Sequence, residues 1–428
     1  MSVQTRRPQA SDYRPVSSRR HSAVPSSTRL ANSAYWLALV VVFAGVFELT
    51  CRVEDWVMYR MPIGSPFRSV EDLIVRDADG MHGRPNAQFE KWVMNGLGTR
   101  GPAATVLPSP GTVRIITVGA SETFGLKESP NQEYPRQLEE SLTVRRDRLR
   151  CSDSSTIPTA RFEVLNAAFA GMSVPTIDQD VRNRLRRFRP AMVVAYPSPL
   201  AYLYDSLPVA AQPDSTSRST PLGAGRGLYP RSLDRVREQL KQMLPEFVKS
   251  RLRQRQTDRV TRRHEPGWQF TAAPAERLAA FDLDLRHLVG TIRSVGATPV
   301  LVSHGNAFFA RKTLDRDKLI AWQKVFPRAT GRTLISFDSL SRLITIKVGA
   351  DSNVTVVDAA ARLGAAPESA FADAVHFTDL GASTMASLIG DGVFSALQRT
   401  DSCLVPCCAA PISTTDAVGH LPETLGGR

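Results

Sequence analysis

The sequence contains few cysteines: five in 428 residues, at positions 51, 151, 403, 407 and 408. So few and so scattered, they exclude a fold built on disulfides, and their spacing does not match two pairs of zinc ligands. No cluster of His, Asp or Glu has ligand spacing either, so we expect no metal site. A disulfide from Cys151 to one of the three C-terminal cysteines stays open in an oxidising compartment.

Acidic residues are scarce relative to basic ones, 41 against 54, which gives a net charge of +13. Such a balance favours anionic surfaces, but composition alone does not separate nucleic acid, phospholipid headgroups and acidic polysaccharide. Hydrophobic residues make up 42% of the chain and charged residues 22%. These ordinary values exclude a wholly disordered or fibrous protein, and the length suffices for one large domain or two ordinary ones.

Charge is absent from residues 34–47, which read AYWLALVVVFAGVF. Widening the window to 31–51 admits only Glu48, and a helix over this window spans about 31 Å, close to one bilayer core. We therefore predict a transmembrane helix over 34–54, with a buried core helix as the alternative.

The segment before this helix, residues 1–33, carries six arginines against one aspartate. We expect it to be a disordered cytoplasmic tail, because positive charge is retained on the inner side of a membrane. Everything after Cys51 then lies outside the bilayer. No A-x-A site follows the apolar run, so an uncleaved anchor is favoured over a cleaved signal peptide.

Short apolar runs separated by helix-like stretches organise the rest of the chain. After a lead-in over 55–110, five runs are typical of buried parallel strands: 113–118, 162–165, Met192–Tyr196, 299–303 and 354–357. The helix-like stretches between them include 134–142, 177–188, 275–295 and 319–326. This alternation predicts a three-layer α/β/α sandwich with a five-stranded parallel sheet over 111–400, and the functional site is expected past the carboxyl ends of the strands.

Two segments depart from this alternation. Residues 205–268 form an insertion, in which a Ser/Pro/Gly-rich loop precedes a helical stretch over 231–263 with eleven Lys/Arg against four Asp/Glu. This insertion is either a solvated helical flap or a surface for anionic lipid or acidic glycan; nucleic acid is not an expected partner for a domain outside the membrane. Residues 401–428 are rich in Pro, Thr and Gly and are expected to be a disordered tail.

A serine follows the first predicted strand directly, in the sequence GASETFG over 119–125. Ser121, between two glycines, fits a sharp strand-to-helix turn that exposes its hydroxyl at the edge of the sheet, where nearby amides stabilise an oxyanion. The alternative is that the residue only caps a helix.

An aspartate and a histidine lie three residues apart near the C-terminus, at Asp373 and His376. In one loop, the carboxylate orients the imidazole, which accepts the proton of a serine. The chain order is Ser, Asp, His.

Together these residues resemble the SGNH (GDSL-type) hydrolase family, and more closely its single-pass, membrane-anchored bacterial members, over roughly residues 80–395. The resemblance implies a flavodoxin-like SGNH fold, with Ser121 as nucleophile, Asp373 as orienting acid and His376 as general base. The stretch NAAFAG over 166–171 resembles the second block of the family. Its glycine, Gly171, and the amide of Ser121 itself would then form the oxyanion hole.

The third block departs from the family pattern, because Pro-Ser-Pro-Leu over 197–200 replaces a Gly-x-Asn-Asp type sequence. The family asparagine donates to the oxyanion, and loss of one such donor typically costs about two to three orders of magnitude in turnover. Ser198 or Asn306 is a substitute donor, or else the site is feeble or inactive.

The resemblance implies a membrane-anchored serine esterase of the bacterial inner membrane, with its catalytic domain periplasmic or extracellular and no cofactor. Its expected substrate is an O-acyl, for example acetyl, group on carbohydrate or lipid. Two alternatives stay open. One is an O-acyltransferase with the same triad, and the other is a catalytically silent scaffold or binding component of polysaccharide assembly.

Overall fold

A computed structural model describes residues 26–148, 161–212, 230–309, 311, 314–364 and 366–399. The predictions for residues 1–25, for the tail over 401–428 and for a disulfide from Cys151 lie outside these residues. Within them, Cys51 is a free, buried cysteine.

The centre of the molecule is a five-stranded, entirely parallel sheet. Its strands are β5 (Thr112–Gly119), β6 (Arg161–Asn166), β7 (Met192–Tyr196), β8 (Thr298–Val302) and β9 (Thr355–Val357), in the spatial order β6-β5-β7-β8-β9. The order reverses direction at β5, so β6 and β7 flank it on opposite sides. Such a reversal opens a crevice at the carboxyl ends of the strands.

Two short antiparallel hairpins precede the sheet, within the segment predicted as a lead-in. They pair β1 (Ile74–Asp77) with β2 (Gly80–Gly83), and β3 (Gln88–Phe89) with β4 (Trp92–Val93). Met81, Phe89 and Trp92 are buried in the same hydrophobic core as residues of β5 and β7, so the lead-in packs onto the domain.

Eleven α-helices occur in the described residues. They are α1 (Ser26–Tyr59), α2 (Ser121–Phe124), α3 (Tyr134–Arg148), α4 (Val174–Asn183), α5 (Arg231–Met243), α6 (Glu246–Thr261), α7 (Ala275–Ser294), α8 (Arg316–Val325), α9 (Gly331–Asp351), α10 (Ala359–Gly364) and α11 (Asp379–Arg399). Short 3-10 turns occur at Val70–Leu73, Leu185–Phe188, Pro199–Leu203 and Glu368–Ala370.

Helices cover both faces of the sheet, which confirms the predicted three-layer α/β/α sandwich. On one face, Ile116 and Val118 of β5 lie in a core with residues of α4, α7 and α9. On the other face, Val113 and Ile115 lie in a second core with residues of α3 and α11. Successive residues of a strand point to opposite faces, so a continuous apolar run fills both cores.

The helical insertion consists of two helices rather than one stretch over 231–263. Helix α5 ends before Pro245, and α6 begins directly after it. The proline ring has no amide hydrogen to donate and disfavours a helical residue before it, so one continuous helix is excluded.

The predicted transmembrane segment over 34–54 lies within a longer helix. Helix α1 starts at Ser26, inside the segment predicted as a disordered tail, and continues to Tyr59. The sequence has no proline between positions 25 and 62, so nothing breaks the helix earlier. Its stretch Asn32–Tyr59 is long and apolar enough to span a membrane, and 6% of the residues in its apolar 18-residue window are buried. Helix α11 meets the same criteria, but 56% of the residues in its window are buried, as expected for a core helix.

Candidate active site

The turn after β5 places Ser121 at the first position of α2. The turn requires glycine at position 119, because a Cβ there would lie 2.2 Å from Thr123 Oγ1 and 2.6 Å from the Tyr196 carbonyl oxygen. Ser121 is half-buried, whereas the three residues after it are buried. This local structure leaves the serine as the accessible side chain of the turn.

The end of β6 supplies a second turn beside the first. The Asn166 side-chain amide donates to the Thr123 carbonyl oxygen at 2.9 Å and so ties the two turns together. Further along this loop, Gly171 has a φ of +83°, a left-handed conformation that favours glycine.

The loop before α11 holds Asp373 and His376 as a hydrogen-bonded pair. His376 Nδ1 lies 2.9 Å and 2.8 Å from the two carboxylate oxygens of Asp373. The backbone amides of Val375 and His376 also donate to Asp373 Oδ1, at 3.1 Å and 3.0 Å. The carboxylate therefore fixes both the loop and the orientation of the imidazole ring.

Both members of this pair have shifted pKa values. Burial alone would raise the pKa of Asp373, but its hydrogen bonds with His376 and the loop amides lower that pKa to about 2. Burial alone would lower the pKa of His376, but the Asp373 hydrogen bond and the charge of Glu122 raise it above its ordinary value. Asp373 is thus ionised at neutral pH, and His376 is made more basic.

The three loops converge on one cavity of about 200 Å³, whose lining includes Ser121, Gly171, Ser198, Asp373 and His376. Helix α8 and neighbouring loops provide an apolar wall that includes Met172, Leu200, Trp322, Val325, Phe326 and Val375. The structure therefore brings together every predicted site residue except Asn306.

The nucleophile and the base do not form a hydrogen bond with each other in this structure. Ser121 Oγ donates to Glu122 Oε2 at 3.2 Å. His376 Nε2 is buried and has no hydrogen-bond partner among the described residues. A change in the Ser121 rotamer is thus needed to complete the predicted triad.

Ser198 and Asn306, the two predicted substitute donors, have different surroundings. Ser198 follows β7, within the Pro-Ser-Pro-Leu segment over 197–200, and lines the cavity. Asn306 is buried elsewhere: its side-chain amide donates to Asp338 Oδ2, and its carbonyl oxygen accepts from the Phe308 amide at 2.8 Å. Both polar atoms of Asn306 are therefore engaged, and it does not line the cavity.

A buried polar network that the sequence motifs did not indicate lies directly behind Ser121. Glu122 Oε1 lies 3.3 Å from His304 Nε2, and His304 Nδ1 lies 2.5 Å from Asp338 Oδ1. Each of these three side chains is at most 3% exposed. The sequence signal for the network is weak, because Glu122 precedes His304 by 182 residues and a further 34 separate His304 from Asp338.

No family model and no curated protein matches the chain. Several solved structures are similar to it. TesA is 13% identical, and the match covers 67% of this chain and 98% of TesA, with a TM-score of 0.35. The acetylxylan esterase Axe2 from Geobacillus stearothermophilus is 12% identical, and the match covers 65% of this chain and 93% of Axe2, with a TM-score of 0.35. A GDSL-like lipase from Bacteroides thetaiotaomicron is 11% identical, and the match covers 68% of this chain and 91% of the lipase, with a TM-score of 0.35. At these identities and TM-scores, the similarities do not establish a common activity.

Proposed function

We propose that this chain is an SGNH-type serine esterase that removes acyl groups from an oxygen-acylated substrate. One observation carries the proposal: Ser121 lines the same cavity as a carboxylate-oriented histidine, and the Nε2 atom of this histidine is buried without a hydrogen-bond partner among the residues that the structure describes. A buried, unsatisfied nitrogen is costly in a purely structural residue. In a general base it is the atom that receives the serine proton.

The reaction follows from the roles of these three residues. His376 Nε2 takes the proton of Ser121 as Oγ attacks the ester carbonyl carbon, and Asp373 stabilises the imidazolium that forms. The imidazolium returns the proton to the leaving alcohol, and an acyl-serine remains. Water then attacks the acyl carbon, again with His376 as base, and releases the carboxylic acid.

The oxyanion of each tetrahedral intermediate needs hydrogen-bond donors that are already in place. The proposed donors are the backbone amides of Ser121 and Gly171, with the Ser198 hydroxyl in place of the missing asparagine. Ser198 is buried and lines the cavity after β7. A hydroxyl donates one hydrogen bond, which suffices for this role.

The proposed substrate is an O-acyl group carried by carbohydrate or lipid. The apolar wall of the cavity suits the acyl part of an ester, because transfer of apolar groups from water to an apolar surface is favourable. An O-acyltransferase is the second candidate, because an alcohol that occupies the site can replace water as the group that attacks the acyl-serine. Hydrolysis with and without an acceptor glycan, analysed by mass spectrometry, separates the two.

We also propose that α1 anchors the protein in the bacterial inner membrane, with residues 1–33 cytoplasmic and the catalytic domain outside. The apolar, exposed surface of the stretch Asn32–Tyr59 supports this placement, and the arginine-rich segment before it supports the orientation. In spheroplasts, added protease is expected to degrade the catalytic domain, and alkaline carbonate is expected to leave the chain in the membrane pellet. Extraction of the chain by carbonate would contradict the anchor.

The esterase proposal is tested with the full-length chain in detergent micelles. We expect hydrolysis of p-nitrophenyl acetate by the wild type and background rates for Ser121→Ala. Ser129→Ala is a matched control, because Ser129 is an exposed serine after the same turn. No hydrolysis of any p-nitrophenyl ester by a folded wild-type chain would favour the silent scaffold.

A further inference from the structure

The network behind Ser121 is unusual because it buries three ionisable side chains that the triad does not use. Glu122 accepts from Ser121 with one carboxylate oxygen and faces His304 with the other. His304 contacts Asp338 through its second nitrogen and stacks on Tyr196, with ring centroids 5.4 Å apart. Tyr196 OH in turn accepts from the Gly305 amide at 3.0 Å. The His304 ring is therefore held at both nitrogens and on one face.

The charges of the network follow from its burial. An isolated ionised carboxylate in a protein interior is very unfavourable. Two ionised carboxylates beside a neutral imidazole would be still less favourable. Burial alone would lower the pKa of His304, but Asp338 and Glu122 raise it to about 10. Burial alone would raise the pKa of Glu122, but the His304 hydrogen bond and the charges of His304 and His376 lower it. At neutral pH the network thus holds two carboxylates and one imidazolium, with a net charge of −1.

The negative charge of Glu122 acts on both the proposed nucleophile and the proposed base. Glu122 forms a hydrogen bond with Ser121, and its charge favours protonated His376. The other charged groups around His376 are Asp373 in its own loop, Lys127 and Glu128 after α2, and Lys318 of α8 at the cavity wall. Among the carboxylates of the described residues, Glu122 is the one that accepts a hydrogen bond from Ser121.

We propose that Glu122 is a positioning residue for Ser121 and His376: its buried carboxylate holds the Ser121 hydroxyl in the resting enzyme and supplies the negative charge that favours protonated His376 during proton transfer. The inference rests on the proposed function and deepens it. Glu122 takes up no proton. When Ser121 rotates toward His376, its proton passes from Oγ to Nε2, and Glu122 remains ionised through its contact with His304.

His304, Asp338 and Asn306 support Glu122 in this role. Asp338 connects to His304 through one oxygen and to the Asn306 amide through the other. Because both oxygens of Asp338 are engaged, the imidazole ring is fixed with its Nε2–H toward Glu122. Asn306 thereby acts through three other side chains rather than as an oxyanion donor.

The test uses the full-length chain in detergent micelles with ¹⁵N-labelled histidine. The sequence has seven histidines, and His376→Gln and His304→Gln variants assign the two relevant signals. The variant of interest is Glu122→Gln, whose amide donates to Ser121 Oγ and accepts from His304 without a charge. Asp338→Asn is the matched control, since it makes the same change from carboxylate to amide within the network but without contact with Ser121.

We expect the titration midpoint of His376 to move to lower pH in Glu122→Gln, because loss of a negative neighbour disfavours the imidazolium. The acidic limb of the pH profile for fluorophosphonate labelling should move in the same direction. Asp338→Asn should shift both less. An unchanged His376 midpoint in a folded Glu122→Gln chain overturns the inference. Labelling abolished at every pH with an unchanged midpoint also overturns it, in favour of Glu122 as the base itself.

A second measurement is made on the wild type, with the His304 signal assigned as above, and is independent of activity. The inference predicts that both ring nitrogens of His304 carry protons at pH 8, and a neutral His304 at that pH would overturn it. By contrast, the esterase proposal fails if the folded wild type is not labelled at Ser121. The two failures are therefore distinguishable.

Discussion

Ser198 is the residue on which the proposed turnover depends most directly after the triad. Its hydroxyl is a side-chain donor that lines the cavity directly after β7, and no asparagine is among the described residues that line this cavity. An oxyanion donor contributes only where negative charge develops, so its loss lowers kcat more than it weakens binding.

We therefore expect Ser198→Ala to lower kcat by about 100-fold with little change in KM. Ser303→Ala is the control, because Ser303 is a buried serine after the adjacent strand whose hydroxyl donates to Asp358. Steady-state hydrolysis of p-nitrophenyl acetate measures both. A loss of the same size in the two variants would exclude a specific role for Ser198.

The raised pKa of His304 predicts how the stability of the fold depends on pH. Its pKa is about 10 in the folded chain and about 6.5 in an unfolded one. Because the folded value is raised, the stabilisation is fully present below about pH 6.5 and is lost as the pH rises through about 10.

Unfolding by urea should thus require less denaturant at pH 10 than at pH 8. Both of these pH values lie above the pKa of Glu128, which burial raises to about 7. The Glu128 carboxyl group therefore does not contribute to the change in stability between them. The decrease should be smaller in His304→Gln, which has no imidazolium to lose. An equal decrease in both chains would contradict a protonated His304.

The secondary-structure elements show which features local sequence determines. Each β-strand of the sheet overlaps its predicted run, and β7 matches it in both bounds, because buried parallel strands read as short apolar runs between polar ones. The sequence patterns did not single out α9, although it supplies Asp338. Its buried residues include polar ones such as Asp338, Ser341 and Thr345, which obscure an amphipathic pattern.

The candidate site was predictable to the extent that its motifs are local. Asp373 and His376 lie within four residues, and Ser121 lies in one turn. Glu122, His304 and Asp338 come from three distant segments that only the tertiary fold brings together. No spacing rule relates such residues in a single sequence.

The strand-to-helix turn at Ser121 depends on close packing at Gly119. Gly119→Ala places a methyl group against Thr123 and the Tyr196 carbonyl, so we expect a loss of about 1–3 kcal/mol in the free energy of unfolding. The displaced turn should also slow labelling of Ser121.

Gly111→Ala is the control at the other end of the same strand. A Cβ at Gly111 meets nothing within 4 Å, but its φ of +75° strains any other residue, at a cost of about 1 kcal/mol. Thermal unfolding and fluorophosphonate labelling measure the two variants. Unchanged labelling in a destabilised Gly119→Ala chain would show that the turn does not position Ser121.

Ion pairs of Asp55 join α1, the proposed anchor, to α5 of the folded domain. Asp55 of α1 is fully buried and accepts from Arg231 and Arg235 of α5, at 2.6 Å each. The last turns of α1 are thus part of the folded domain rather than a linker. A soluble form that begins at residue 60 would leave these arginines without Asp55.

We expect Asp55→Asn to lower the free energy of unfolding by about 3 kcal/mol, because it breaks a buried ion pair from one side. Glu54→Gln is the control: Glu54 is half exposed and lies 3.7 Å from Arg235, so its loss should cost less than about 1 kcal/mol. Urea unfolding in detergent micelles compares the two. Equal stability would mean that α1 and α5 are not coupled.

Mass spectrometry of a covalent adduct determines whether Ser121 is a nucleophile activated by His376. The full-length chain is treated with a fluorophosphonate and digested, and the modified peptide is sequenced. We predict one adduct, on Ser121, that forms in the wild type and is at least about 1,000-fold slower in His376→Ala. No adduct on Ser121 in the folded wild type, or an equal labelling rate without His376, would contradict the account.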